Sequence, residues 1–413
     1  MNYSKNIKQL KNLFKEKINY NNSKFNYPLL SNGYSENDLI QAAKTLISKN
    51  LTMGKKTSEF EKYFAKKIGA KFALMVNSGS SANLLAFFCI TNALKKNKVK
   101  QGSECIIPAV CWSTTLWPII QSGLKPVFVD VDINNFCIDF SSLIKKVTKK
   151  TKVIILVNVL GNSPEINRIK SFAKKKNIYL IEDNCESLGS KYDNKFLGTI
   201  GDFGTFSFYY SHQVTAAEGG MITCKSKHDY NIIKSLRAHG WDRELKNQKV
   251  KGFNFINQGF NLRPLDISAS IGMNQFKRLD KMMKIRSKNR DMIIKKLKES
   301  KKWKGQFNFF NPTKKLKPSW FGLPLMINKS KNFNKKKYLK YLNNKNIETR
   351  PIISGNFANQ PSVKLHKIKF NKKELANSQK IEENGFFIGL PTELLNYNKI
   401  NKLVSYLLNI DKF

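Results

Sequence analysis

Phe203-Gly-Thr-Phe-Ser-Phe-Tyr-Tyr-Ser-His-Gln-Val-Thr-Ala-Ala-Glu-Gly-Gly-Met221 is the stretch on which the fold turns. It begins as an alternating aromatic strand, breaks into a polar turn, and ends on Glu218-Gly219-Gly220 before a second short strand. Upstream, the chain alternates short apolar strands with amphipathic helices. Strands are expected at Ala73–Val76, Cys105–Ile107, Val127–Val131, Val153–Val159 and Tyr179–Glu182, and helices from Ser81, from Thr114 and over Pro164–Lys176. That alternation predicts an α/β sheet covered by helices on both faces. Functional loops in such sheets gather at the carboxyl ends of strands, and Asn77, Pro108, Asp130 and Asp183 each follow one.

Downstream, Leu265–Leu297 reads as one long amphipathic helix leading to a second unit. That unit carries strands at Phe321–Ile327 and Glu348–Ile352 and helices near Asn334–Asn343 and at Lys399–Leu408. The expected division is a Lys/Asn-rich N-terminal arm (1–27, helical near Ile7–Ile18), a large domain (28–300) and a smaller α+β domain (301–413).

The chain has 413 residues, 41% of them hydrophobic and 12% aromatic, which fits a globular enzyme with room for two domains. No apolar run reaches the roughly 18 residues that cross a bilayer, and no signal peptide is read at the N-terminus. The six cysteines show no CxxC spacing, so free thiols in a reducing cytoplasm are expected and no metal site is assigned. A net charge of +44 raises nucleic acid or an anionic membrane as partner. The excess is lysine spread over the whole length, so neither is expected; a basic surface still attracts an anionic substrate.

Four constellations carry chemistry. Asn77-Ser-Gly-Ser-Ser-Ala-Asn83 ends a strand and opens a helix, where small residues let backbone N–H groups approach a phosphate; a plain helix cap reads the same way. Trp112 follows the strand at Cys105 and offers a flat ring, though a lone Trp also fits a core or an interface. Asp183, in Ile181-Glu-Asp-Asn-Cys-Glu-Ser-Leu-Gly189, sets a carboxylate past a buried strand, or caps a helix. Ser207 and His212 follow at a spacing of five.

As an ordered set these segments resemble the DegT/DnrJ/EryC1/StrS sugar aminotransferases over roughly residues 30–360. The resemblance implies a type I PLP-dependent aminotransferase fold, with a mainly parallel central sheet in the large domain. It also implies roles. Gly79, Ser80 and Ser207 would hold the phosphate of pyridoxal phosphate (PLP), Trp112 would stack on its ring, and Asp183 would pair with the pyridine nitrogen. Glu186 stands where the family often has Gln near the ring hydroxyl. Asn261, in Gly259-Phe-Asn-Leu-Arg-Pro264, matches a segment that crosses from a neighbouring subunit, which implies a homodimer with shared active sites. His239 and Arg350 are further candidates for substrate contact, with a structural role and a surface salt bridge as their alternatives.

The departure is His212, where transaminating members keep a lysine. An imidazole cannot form the stable imine, so the cofactor, PLP or pyridoxamine phosphate (PMP), would be held non-covalently, while His212 remains able to act as acid and base. The chain looks like the histidine-bearing nucleotide-sugar 3-dehydratase branch. That likeness implies loss of the C3 hydroxyl from a nucleotide-linked 4-keto-6-deoxyhexose, for lipopolysaccharide or O-antigen sugars, with glutamate as amino donor. One version of the branch uses an iron–sulfur cluster and a reductase on a CDP-sugar. The interval Glu244–Gln258 holds no cysteine and Cys185 alone could match a ligand, whereas such a cluster takes about four; the iron-free version is favoured. A regulator built on this scaffold is the non-enzymatic alternative.

Overall fold

A computed structural model describes residues 9–13, 25–30, 33–245, 252–328 and 333–413. Residues 9–13 are helical, and the remainder of the helix expected near Ile7–Ile18 lies outside the described residues. In chain order the strands are β1 (Phe72–Val76), β2 (Glu104–Pro108), β3 (Lys125–Val129), β4 (Thr151–Val157), β5 (Tyr179–Asp183), β6 (Lys191–Tyr192), β7 (Lys195–Phe196), β8 (Phe203–Ser207), β9 (Gly220–Cys224), β10 (Phe307–Asn308), β11 (Leu316–Lys317), β12 (Gly322–Ile327), β13 (Thr349–Arg350) and β14 (Gly385–Gly389). The central sheet runs β1-β9-β8-β5-β4-β2-β3. Pairing is parallel from β8 through β5, β4 and β2 to β3, and β9 alone runs antiparallel, between β8 and β1. This is the α/β architecture expected from the alternation of strand and helix.

The period-2 pattern of β8 explains its place. Phe206 and Phe208 point to one side and pack on Phe60, Phe64 and Phe276, with the Phe64–Phe206 centroids 5.1 Å apart and Phe64–Phe276 stacked at 4.8 Å. Thr205 and Ser207 point to the other side, and the Thr205 hydroxyl donates to Asn83 Oδ1 at 2.7 Å. An aromatic layer thus fixes the strand from behind while its polar face is presented to the carboxyl edge of the sheet.

A second, four-stranded sheet runs β10-β12-β14-β13. Residues 25–30 dock on it: Tyr27 bridges Ile347, its hydroxyl donates to Gly389 O at 3.0 Å, and Leu29 N donates to Glu348 Oε2 at 3.0 Å. The single helix expected over Leu265–Leu297 is two, Asp266–Lys277 and Leu279–Glu299. They part at Arg278, whose backbone (φ −95°, ψ 0°) sits in the bridge region and whose guanidinium is held by buried Asp38.

Candidate active site

The carboxyl ends of β1, β2, β4, β5 and β8 converge on one cavity of about 1360 Å³. Gly79, Ser80, Trp112, Asp183, Glu186, Ser207, His212 and Arg350 all line it. Eight of the ten residues singled out from sequence are therefore brought together. His239 and Asn261 are not. Both are exposed on the loop that follows the helix Lys227–Arg237, and Asn261 is joined to that loop by a bridge to Ala238.

Each side chain is positioned by its element. Ser78 caps the helix Gly79–Ile90, accepting from Ser81 N at 3.1 Å, so the first turn of that helix opens onto the cavity. A Cβ added at Gly79 would lie 2.6 Å from Ser207 Cβ and 3.0 Å from Cys185 Sγ; only glycine lets the helix come this close to β8. The Ser80 hydroxyl donates to Thr114 Oγ1 at 2.9 Å. Trp112 stands just before the helix Ser113–Gln121 and is 56% exposed, a broad indole left open on the cavity wall.

Asp183 ends β5. Its Oδ2 accepts from Asn83 Nδ2 at 2.9 Å and from Thr115 Oγ1 at 2.7 Å, and its Oδ1 accepts from Cys185 N at 3.3 Å. Among the described residues, three donors and no cation surround this buried carboxylate, which fits an acceptor for a charged N–H. Asn83 and Thr115 carried no role in the sequence reading. Their signal was their place one turn into helices that begin at the expected phosphate and aromatic positions. Glu186 accepts from Leu160 N at 3.1 Å, and burial, with the nearby Asp183 charge, pushes its carboxyl up to about 7.

His212 lies in the turn after β8, its N–H donating to Tyr209 O at 3.0 Å. Its ring meets Phe321 edge-on at 5.1 Å and Tyr209 at 6.0 Å, and Nδ1 is buried with no hydrogen-bond partner among the described residues. Burial, then the Arg286 charge, lowers the imidazole to about 4, so it is a neutral base near pH 7. Arg350 donates through Nε and Nη2 to Glu348 Oε1 at 3.3 and 3.0 Å, which holds its guanidinium at the cavity rim. Arg286, Phe321, Gln213 and Glu348 carried no role from sequence: Gln213 stands beside His212, Phe321 and Glu348 open expected strands, and Arg286 is one charge on a long helix.

The donor set fits a phosphorylated pyridine. A helix N-terminus pressed against a serine hydroxyl makes a phosphate cradle, an open indole gives a stacking face, and a buried carboxylate ends the sheet between them. Among the described residues, no group of three or more His, Cys, Asp or Glu side chains is arranged to hold a metal ion, and no helix is long and apolar enough to cross a membrane.

The chain is 39% identical over 375 residues to a GDP-4-keto-6-deoxy-D-mannose 3-dehydratase of Escherichia coli O55:H7, covering 88% of this chain and 95% of the relative. A solved structure of the E. coli GDP-4-keto-6-deoxy-D-mannose-3-dehydratase with bound hydrated PLP superposes with a TM-score of 0.85 at 37% identity, covering 93% of this chain and 99% of that one. A structure of such a dehydratase with a trapped PLP-glutamate geminal diamine matches equally, at TM-score 0.85 and 37% identity over 92% and 100% of the two chains. The profile of the DegT/DnrJ/EryC1/StrS aminotransferase family matches residues 34–406, and the chain belongs to that family.

Proposed function

We propose that this protein is a PLP/PMP-dependent 3-dehydratase of a GDP-linked 4-keto-6-deoxyhexose, working in the cytoplasm on deoxysugars for lipopolysaccharide or O-antigen. The observation that carries the reading is His212, a buried neutral imidazole where the resemblance implies a lysine in transaminating members, on the wall of a cavity that also gathers Gly79, Ser80, Trp112, Asp183 and Ser207. When bound, the cofactor supplies an amine for the sugar ketone and an electron sink.

The rest belongs to the chain. The first-turn amides at Gly79 and Ser80, with the Ser207 hydroxyl, would take the phosphate, favoured by the helix dipole. Trp112 would cover one ring face. Asp183, held by Asn83 and Thr115, would keep a proton on the ring nitrogen and so preserve the sink. Glu186, whose carboxyl burial pushes up to about 7, would face the ring hydroxyl. His212 cannot tether the cofactor. It would take up at its imidazole the proton lost from the cofactor carbon that bears the amine and return it to the departing C3 hydroxyl, which leaves as water. Arg350, braced by Glu348, is placed for the diphosphate. Asn261 and His239, exposed and outside this chain's own cavity, are assigned to the site of a second copy in a homodimer. Glutamate is the proposed amino donor, with product release and donor turnover requiring no iron.

The test is incubation of metal-depleted protein with PLP, glutamate and a panel of GDP-, CDP- and dTDP-linked 4-keto-6-deoxyhexoses. Loss of water from the GDP-sugar is expected. Turnover confined to a CDP-sugar and dependent on added iron and a reductase would overturn the assignment.

A further inference from the structure

Behind His212 lies a charge the dehydration mechanism does not use. Arg286, on the helix Leu279–Glu299, is 1% exposed, among the largest fully buried side chains. Among the described residues it forms no ion pair. Its Nη1 donates to Trp320 O and Phe321 O, both at 3.1 Å, while Nε and Nη2 are buried without partners. Removing a guanidinium from water without a carboxylate is costly, and an apolar residue would fill the space with less penalty. Stability alone does not account for it.

Its two acceptors belong to the crossover into β12, which is fastened at Ser319, Trp320 and Phe321. Ser319 N donates to Ser190 Oγ at 2.8 Å, and Ser319 O accepts from Gln213 Nε2 at 3.1 Å. Phe321 N donates to Leu160 O at 3.3 Å. Gln213 is the neighbour of His212, and the same Nε2 also donates to Glu186 O. The Phe321 ring then abuts the imidazole. We propose that Arg286 is a positioning residue for His212: it fixes the Trp320–Phe321 backbone so that the Phe321 ring holds the imidazole, and it places an unneutralised positive charge behind that ring. The proposal rests on His212 being the acid–base group.

The charge acts in the direction the reaction needs, because a nearby cation disfavours imidazolium and leaves the base free. The other ionisable groups around His212 are Tyr209 and Tyr210 on its own turn, Asp183 and Glu186 after β5, Glu218 before β9, Glu348 and Arg350 at β13, and Tyr34, Glu36, Arg278, Lys281 and Glu393 around a smaller cavity that the imidazole also lines. Tyr209, through its backbone, acts on the ring alongside Arg286 and burial.

The test follows the imidazole itself by NMR titration of histidine-labelled protein, which has four histidines and is assigned with His212→Asn. Arg286→Met removes charge and donors; Arg286→Lys keeps a charge and one donor group. In R286M the His212 midpoint should rise by about one pH unit, as expected for losing a nearby buried charge. Its kcat should fall roughly 10- to 100-fold with KM changed less than about threefold, the pattern of a displaced acid–base group. R286K should restore the midpoint and most of kcat. If R286M does not accumulate, Arg286→Gln takes its place in the same titration. An unchanged His212 midpoint in the charge-removing variant, or an R286K midpoint shifted as far as that of R286M, overturns the proposal. The titration needs no substrate, so failure of the dehydratase reading would appear separately, as absence of turnover in wild-type protein.

Discussion

Replacing Gly79 with alanine tests the phosphate cradle at its tightest point. The new Cβ would stand 2.6 Å from Ser207 Cβ and 3.0 Å from both Ser207 Cα and Cys185 Sγ. Ordinary carbon contacts lie near ~3.5–4.0 Å, so about 1 Å of separation must open. The obstructing atoms are backbone and Cβ of a strand residue paired with Gly220, so no flexible tip can swing aside. The helix must retreat from β8, at an overpacking cost of about 1–3 kcal/mol. That retreat parts the first-turn amides from the Ser207 hydroxyl, the two sides of the cradle. Losing one hydrogen bond to a charged group, about 1.5–3 kcal/mol, weakens PLP binding by roughly 10- to 150-fold. Fluorescence titration of apoprotein with PLP and with pyridoxal separates the causes. Gly79→Ala should lose PLP affinity while pyridoxal, which lacks the phosphate, changes less than about threefold. Equal weakening of both ligands, or unchanged PLP affinity in folded variant, would refute the cradle.

Other outcomes are as definite. Borohydride should fail to fix PLP to the wild-type chain, whereas His212→Lys should become covalently labelled at position 212, read by peptide mass spectrometry; labelling of the wild type at any lysine contradicts the non-covalent site. Asp183→Asn keeps the shape but removes the charge held by Asn83 and Thr115, and kcat should fall by about 100-fold or more in steady-state assays, an electrostatic loss of roughly 3 kcal/mol. Stability against pH carries two opposed signatures in the apoprotein. His212, lowered to about 4 from 6.5, binds fewer protons folded than unfolded, so it costs stability as pH falls through that window. Glu186, raised to about 7 from 4.5, binds more protons folded, so its contribution is present at low pH and lost as pH rises through its own window. The two slopes offset where they overlap. Urea unfolding should show Glu186→Gln losing stability on acidification and His212→Asn gaining it, and parallel profiles for both variants would contradict the assignments.

Much of the frame was legible because it rests on local patterns. The alternation in Phe203–Phe208 forecast a strand with one aromatic and one polar face, and that is how β8 sits between Phe64 and Asn83. Short apolar strands followed by small residues or a carboxylate forecast the carboxyl-edge loops, and Gly79, Trp112, Asp183 and Ser207 meet at one cavity. What escaped was set by tertiary contacts. The break at Arg278 is invisible to helical periodicity because it depends on the distant Asp38. Arg286 looked like one more charge on an amphipathic helix; its burial follows from the crossover at Trp320–Phe321, which no local pattern encodes. β14 escaped as well, since Gly385-Phe-Phe-Ile-Gly389 is a brief apolar run with no alternation, buried between β12 and β13. His239 and Asn261 were named from their segments alone, and the fold leaves both exposed, outside the cavity that gathers the other eight.

The central claim is that an imidazole at position 212 turns the family's chemistry from amination to deoxygenation. It is tested most directly by giving the protein GDP-4-keto-6-deoxymannose with PLP and glutamate, and reading the sugar by NMR and mass spectrometry. The account predicts a keto sugar that has lost its C3 hydroxyl as one water and carries no nitrogen. A stable 4-amino sugar with the C3 hydroxyl intact would contradict it.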